Sequence, residues 1–266
     1  MILAPTLTLN TLARGYDADA TAFAAASGAT DVAALSAFVK GVKELGLWSN
    51  MVCWPLRSSQ NAGTGTTAYS LGGLGTFNGT LVGGPAWETD GIDFVEAMDT
   101  HITTPLDVQN LRQFTVMAAA DHPAQVASDC IVSAWGAATT SNYFILRKLG
   151  LTVANAFVRS SGANRQVLAY SASGVSGDMR VYGWGTQGAN TVLTVSGVSV
   201  ATQAFLPDET GSQTLNIGIL LPPGNSSYNG KIGWVFFIKD AELTTAQQLS
   251  VYTLYKSTLG QGLGLP

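Results

Sequence analysis

Charged side chains are scarce in this chain of 266 residues. They make up 11% of it, against roughly a quarter in an ordinary globular domain, while apolar residues make up 46%. The apolar residues are spread over short runs, and none approaches the roughly 18 residues of a membrane-spanning helix. A formal net charge of −4 opposes association only weakly. We therefore expect copies of the chain or other subunits to cover much of its surface.

Basic residues are also few and scattered. The 13 Lys and Arg side chains are outnumbered by 17 Asp and Glu, and Arg147-Lys148 is the only adjacent basic pair in the sequence. Because binding to a phosphate backbone needs clustered positive charge, a nucleic-acid partner is not expected. The N-terminus lacks the basic region and long apolar core of a secretory signal, which favours synthesis and assembly in a cytoplasm.

The sequence contains two cysteines and two histidines. Cys53 and Cys130 predict buried thiols that behave as small apolar side chains, with a single disulfide as the alternative. His101 predicts a surface-loop residue, and Asp121-His122-Pro123 predicts the turn at a strand end. Neither histidine has the other nearby, so a transition-metal site is not expected. No Gly-x-Ser-x-Gly elbow occurs either.

One acidic stretch, Glu88 to Asp93, has to be weighed against glycosidase chemistry. A retaining glycosidase uses two carboxyl groups about 5 Å apart, and on a strand Glu88 and Asp90 would share a face. The next position on that face is Ile92, however, and Asp93 points the other way unless a bulge turns it. Gly91 favours a turn with solvated acids. No catalytic residue is therefore expected, and the protein is not expected to be an enzyme.

Two short helices are predicted in the first 47 residues. Asp17 or Asp19 can cap the first, which is alanine-rich and closed by Gly28, and the second begins at Asp31. Apolar residues recur along the second helix at helical spacing. Such short helices are marginal alone, so this stripe must dock on the same subunit or on a neighbour. We expect residues 1–47, an arm and two helices, to serve in anchoring or oligomerisation, with Leu35, Phe38 and Val42 as interface candidates.

From Trp48 onward, short apolar or alternating runs recur between Gly, Asn, Ser, Thr and Pro. This regular spacing favours a β-sandwich or barrel over βαβ units. Residues 48–266 are therefore predicted to form a sandwich with a closing helix at 244–259, begun by a capping box of Thr244 and Gln247. The strand at 231–239 is apolar on both faces and should be central. The predicted strands lie around 50–56, 78–82, 91–95, 113–119, 129–135, 142–148, 151–158, 165–171, 178–184, 190–195, 198–204, 213–220 and 230–239.

Three separated segments resemble parts of the laminin-G-like domains, which are concanavalin A-like jelly rolls. Residues 79–94 combine a short strand, a Gly-Gly-Pro turn, an aromatic and a tight Asp-Gly turn. Residues 114–117 are similar to the family's Phe-Thr strand, and residues 228–244 resemble its closing strand and helix start. The resemblance covers residues 76–258. It implies a mainly β jelly-roll sandwich, a scaffold used mostly for binding and building.

Residues 17–48 resemble the head of tailed-phage virion proteins, in which a helical pair ending in Gly, an apolar residue and Trp often precedes a laminin-G-like body. This resemblance implies a non-enzymatic exterior virion protein, such as a capsid decoration, fibre or tail component. Such a protein would act through subunit assembly, without a cofactor. Its expected partners are its own copies, in a homo-oligomer such as a trimer, and other virion proteins. Its expected location is the virion, assembled in the host cytoplasm.

A glycan-binding adhesin that uses the same lectin-like sandwich is the alternative hypothesis. Tyr182 and Trp184 could stack on a sugar ring at an exposed loop tip, although a core or subunit-contact position is the favoured interpretation. Laminin-G relatives often hold Ca²⁺ at the sandwich rim, so the resemblance also leaves a structural calcium open. No stretch of the sequence has the ligand density of a dedicated calcium loop. The available carboxylates are those of Asp90, Asp93, Asp99 and Asp121.

Overall fold

The computed structural model describes residues 15–108, 113–121, 128–134, 143–149, 153–160, 163–171, 178–204, 213–220 and 226–266. The helices in these ranges are α1 (Ala18–Ser27), α2 (Val32–Glu44) and α3 (Thr245–Ser257). The strands are β1 (Met51–Pro55), β2 (Thr67–Ala68), β3 (Gly79–Val82), β4 (Ala86–Trp87), β5 (Ile92–Phe94), β6 (His101–Asp107), β7 (Phe114–Ala120), β8 (Ser128–Ala134), β9 (Tyr143–Leu149), β10 (Val153–Ser160), β11 (Ala163–Ser171), β12 (Arg180–Gln187), β13 (Asn190–Val195), β14 (Val198–Gln203), β15 (Thr214–Ile217), β16 (Ile219–Leu220), β17 (Ser226–Ser227) and β18 (Gly230–Lys239).

Two large antiparallel sheets form a jelly-roll sandwich, which confirms the predicted mainly β fold class. The first sheet has the order β14-β13-β12-β7-β18-β5-β4, with β1 also paired to β18. The second has the order β11-β10-β9-β8-β15-β6-β3-β2. Alternate side chains of both sheets point inward and form the first apolar core, which includes Trp54, Phe114, Trp184 and Phe237.

Strand β18 lies inside the first sheet and is covered on both faces, as its sequence predicts. One edge of β18 pairs with β7. On its other edge, β1 pairs with residues 234–238 and β5 pairs with residues 230–232. Strict alternation would put Ile232 on the same face as Trp234. The register against β7 shifts between these two residues, and this bulge turns Ile232 into the first core beside Val235 and Phe237.

The three helices cover the outer face of the first sheet and form a second apolar core with it. Phe38 of α2 meets the Trp234 indole edge-on at 6.0 Å between centroids, and Tyr255 of α3 stacks on the same indole at 4.3 Å. Leu35, Phe38 and Val42 are all fully buried in the single chain. The expectation that these side chains meet a neighbouring subunit is therefore corrected, because their stripe docks on the sheet of its own subunit.

The helix ends follow the sequence closely. The Asp17 carboxylate caps α1, and Gly28 ends it in a left-handed conformation with φ 80°. Asp31 caps α2, and Thr244 with Gln247 forms the predicted capping box of α3. Among the described residues, no helix is both long and apolar enough to cross a membrane.

The two cysteines are buried thiols, as predicted. Burial raises the pKa of Cys53 far above its ordinary value. His101 differs from the prediction of a surface loop. It begins β6, is buried, and has Nδ1 at 2.6 Å from the carbonyl oxygen of Asp99. His122 lies outside the described residues.

Candidate functional site

Tyr182 and Trp184, the possible sugar-stacking pair, lie on β12 with both side chains fully buried between the two sheets. The Trp184 ring meets Phe114 edge-on, with centroids 4.9 Å apart and planes at 84°. Burial also raises the pKa of Tyr182 well above its ordinary value. Neither ring is open to a sugar. The core position that the sequence analysis favoured is therefore confirmed for this pair, and its alternative role in carbohydrate binding is ruled out, because β12 is an inner strand and its aromatic face belongs to the core.

The acidic stretch after β4 forms a turn, as Gly91 predicts. The backbone N–H of Glu88 donates to the carbonyl of Gly91 at 2.8 Å, and the chain then returns as β5. Glu88 and Asp90 therefore lie on a hairpin tip at the sandwich rim, not on a continuous strand.

Three of the four candidate calcium carboxylates lie around Lys231 at this rim, beside a pocket of about 240 Å³. Both carboxylate oxygens of Asp90 accept from the Lys231 ammonium at 3.0 Å. Asp121 accepts from the Lys231 backbone N–H at 2.9 Å and from the Tyr228 hydroxyl at 3.1 Å. Asp93 is opposite Lys231 in the register of β5 and β18. Burial raises the pKa of both Asp121 and Asp93.

Protein donors already bind Asp90 and Asp121, and Asp99 accepts a hydrogen bond from the Ser227 hydroxyl at 2.9 Å. In the part of the chain that the structure describes, no group of three or more His, Cys, Asp or Glu side chains is placed to hold a metal ion. The rim is thus an ion-paired cluster built on Lys231.

A different cleft, of about 270 Å³, opens between α1 and the loop of residues 69–78. We call it the Trp48 cleft and define it by six lining residues: Asp19, Phe23, Trp48, Tyr69, Thr76 and Asn78. Helix α1 forms one wall of the cleft because its lining residues recur at helical spacing. Positions 19, 22, 23 and 26 lie on one face of α1, and the alanines at 22 and 26 keep that wall low.

Trp48 is held where α2 passes into β1, in the one-turn 3-10 helix Trp48–Asn50. Its carbonyl accepts from the Gly73 N–H at 3.1 Å. A Cβ on Gly73 would lie 2.6 Å from the indole Cδ1, so glycine at this position lets the loop backbone lie against the ring. The indole is half-buried, which leaves part of it facing the cleft.

Side-chain hydrogen bonds fix the opposite wall. Asn78 Oδ1 accepts from the Ser70 N–H at 2.9 Å, and Ser70 Oγ accepts from the Phe77 N–H at 2.7 Å. The Asn61 side chain bonds to both the N–H and the carbonyl of Tyr69, at 3.0 and 2.9 Å. The glycine-rich loop is therefore tied at both ends, and its polar groups are preorganised.

Several hydrogen-bonding groups of the Trp48 cleft have no protein partner. Among the described residues, none bonds to Nδ2 of Asn78, Oη of Tyr69 or Nε1 of Trp48. These groups supply donors, and the phenol can also accept. The cleft thus combines two half-buried aromatic rings with hydrogen-bonding groups that no described residue uses.

Lys43 sets the charge at the mouth of the cleft. Its ammonium pairs with Asp17 at 2.8 Å and Asp19 at 2.6 Å, and lies 5.0 Å from the Trp48 ring centroid. The hydrogen bonds to the two aspartates raise the pKa of Lys43. Burial alone would raise the pKa of Asp17, but the Lys43 and backbone hydrogen bonds leave it lowered. Two carboxylates against one ammonium leave the mouth with one net negative charge.

Sequence reasoning missed this cleft, although each part had a signal. Trp48 ends the Gly-Leu-Trp segment after α2, and the glycines at 72, 73 and 75 mark a close backbone approach. Only the fold brings α1, Trp48 and Asn78 together.

No model of a known protein family matches the chain, and no curated protein matches it significantly. Among solved structures, the botulinum neurotoxin serotype D binding domain is similar with a TM-score of 0.58 and 11% identity. The match covers 78% of this chain and 52% of that one, so this chain spans about half of the neurotoxin domain structure. At this identity the likeness shows the fold alone.

Two saccharide complexes match less well. The Ruminococcus gnavus IT-sialidase CBM40 bound to α2,3-sialyllactose has a TM-score of 0.45 and 16% identity, over 52% of this chain and 81% of that one. Domain 4 of AbnA, a GH43 extracellular arabinanase from Geobacillus stearothermophilus, in complex with arabinotriose, has a TM-score of 0.45 and 16% identity, over 76% of this chain and 87% of that one.

Proposed function

We propose that the protein binds glycans, and that the Trp48 cleft holds a terminal sugar. The observation that carries this proposal is the pairing of Trp48 and Tyr69 with polar groups that no described residue satisfies. A sugar presents C–H faces that pack on aromatic rings and hydroxyls that bond to amide and phenol groups. The cleft volume of about 270 Å³ suits one small ring, since it lies just below the roughly 300–1,000 Å³ of sites for drug-sized ligands.

The charge at the mouth favours a neutral sugar. Asp17 and Asp19 outweigh Lys43 by one negative charge, so a carboxylated sugar would be repelled where a neutral one would not. The free oxygen of Asp19 can also accept from a sugar hydroxyl, which makes a charge-assisted hydrogen bond.

Replacing Trp48 with alanine is expected to weaken glycan binding roughly tenfold or more, because one central aromatic can dominate a small site. A panel of neutral oligosaccharides, with sialyllactose as the anionic arm, is immobilised and titrated with the full chain. Trp87→Ala is the matched control, since Trp87 is also half-buried but donates its indole N–H to the Gly65 carbonyl outside the cleft. Equal losses in both variants, or binding to sialyllactose alone, would contradict the proposal.

A structural role in a virion is the second candidate, and the charged fraction of 11% favours it. The side chains expected to carry assembly are buried, so contacts would have to use exposed apolar residues such as Val198, Leu249 and Met98. Light scattering at micromolar concentration is expected to give a stable trimer or larger assembly if this role holds. A monomer under the same conditions would contradict this role.

A further inference from the structure

An apolar groove of about 520 Å³ runs between α2 and α3 and has no lining residue in common with the Trp48 cleft. Leu45 and Leu254 line it, and Leu254 packs so closely on Gly41 that a Cβ there would lie 2.4 Å from Cδ1. At its edge Leu249 is 45% exposed, and the nearby Val198 is 60% exposed. This is apolar surface that a charge-poor protein would be expected to cover.

The described part of the chain begins at Gly15, close to the groove. The carbonyl of Gly15 accepts a hydrogen bond from the ammonium of Lys40. Lys40 is one helical turn from Glu44, and such i,i+4 neighbours have Cβ atoms about 5–6 Å apart. Because Gly41 and Glu44 both line the groove, residues 1–14 join the described chain within one turn of it.

The composition of residues 1–14 suits this surface. They contain Ile2, Leu3, Leu7, Leu9 and Leu12, and their one charged side chain is Arg14. Glu44 makes no ion pair with any described residue, so it offers Arg14 an opposite charge at the groove edge. In an extended form the segment could span up to roughly 46 Å, whereas α2 with its 13 residues is about 20 Å long. The segment is therefore long enough to follow the whole groove.

We propose that residues 1–14 dock in the α2–α3 groove of their own chain, with their leucines against Leu45, Leu249 and Leu254. The contact covers this apolar groove of about 520 Å³ and ties the start of the chain to the closing helix α3. It is independent of glycan binding, since none of its residues lines the Trp48 cleft.

Thiol labelling in the full chain tests this contact. Thr253 is exposed on α3 and lines the groove, so Thr253→Cys adds a reporter there. Thr89→Cys, on the exposed hairpin tip, is the control reporter. The native Cys53 and Cys130 are buried and should react slowly with an added maleimide. In the Thr253→Cys chain, Leu7→Asp with Leu9→Asp is expected to raise the labelling rate roughly tenfold, because the segment is released.

Thr6→Asp with Thr8→Asp adds the same charges to the same segment and is expected to leave the rate unchanged. The control reporter at position 89 should not respond to either double substitution. An unchanged Thr253→Cys rate in the leucine variant would overturn the proposal. A rate in the parent Thr253→Cys chain that rises on dilution would also overturn it, because the segment would then come from a second copy.

Discussion

Replacing Phe38 with aspartate is expected to unfold the protein instead of dissociating an assembly. The Phe38 ring is fully buried and meets the Trp234 indole edge-on at 6.0 Å. Truncating a buried aromatic alone costs about 3–5 kcal/mol, and the new carboxylate would in addition be buried without a partner. Since whole domains are stable by only about 5–15 kcal/mol, the variant should not stay folded. Thermal unfolding followed by circular dichroism would show this as a missing or strongly lowered transition.

Ala37→Asp is the matched control for this substitution. It places the same charge on the same helix, one position earlier, where the side chain is exposed. Its melting temperature is expected to stay near that of the parent, because surface substitutions usually change stability by less than about 0.5 kcal/mol. If Phe38→Asp kept the parent's melting temperature but lost an oligomer in light scattering, the stripe would be a subunit interface after all.

The predicted helices and strands that the structure confirms are those that the local sequence determines. Asp17 and Thr244 cap helices because their side chains reach amides within the first turn. Strand β18 is recognisable because both of its faces are apolar, which only a central strand can bury. The fold class followed from the same local signals, since turns and alternating runs recur along the chain.

The predictions that were wrong concern features that the local sequence does not determine. An apolar stripe such as that of Phe38 shows that a helix must dock, but the sequence does not say whether its partner is the same chain. The bulge after Ile232 reverses one side chain, and a period-2 pattern cannot reveal it. Strand β6 was missed because His101 and two threonines interrupt its apolar alternation.

The candidate site was beyond sequence reasoning for the same reason. Asp19, Trp48 and Asn78 line one cleft although up to 59 positions separate them in the chain, from 19 to 78. The sequence does not show whether an aromatic side chain is exposed or buried. Trp184 lies between two glycines, and Trp48 lies between a leucine and a serine. Trp184 is nevertheless fully buried in the sandwich, whereas Trp48 borders a cleft.

Replacing Trp184 with alanine is therefore expected to act on stability. The indole lies between the sheets at 4.9 Å from the Phe114 ring, and its loss should cost about 3–5 kcal/mol. In a domain of this size each kcal/mol lowers the melting temperature by about 2–4 °C, so the transition should fall by roughly 6–20 °C. Scanning calorimetry of the variant and the parent measures this difference directly.

Trp48→Ala is the variant with which Trp184→Ala is compared, in both melting temperature and glycan binding. Trp48 is half-buried at the surface, so its removal is expected to lower the melting temperature less than the removal of Trp184, while glycan binding falls. Below its transition, Trp184→Ala should still bind glycans, because Trp184 is buried in the sandwich core and does not line the cleft. If instead Trp184→Ala melted like the parent and lost glycan binding, the ring would have to be accessible, and the assignment of β12 to the core would be wrong.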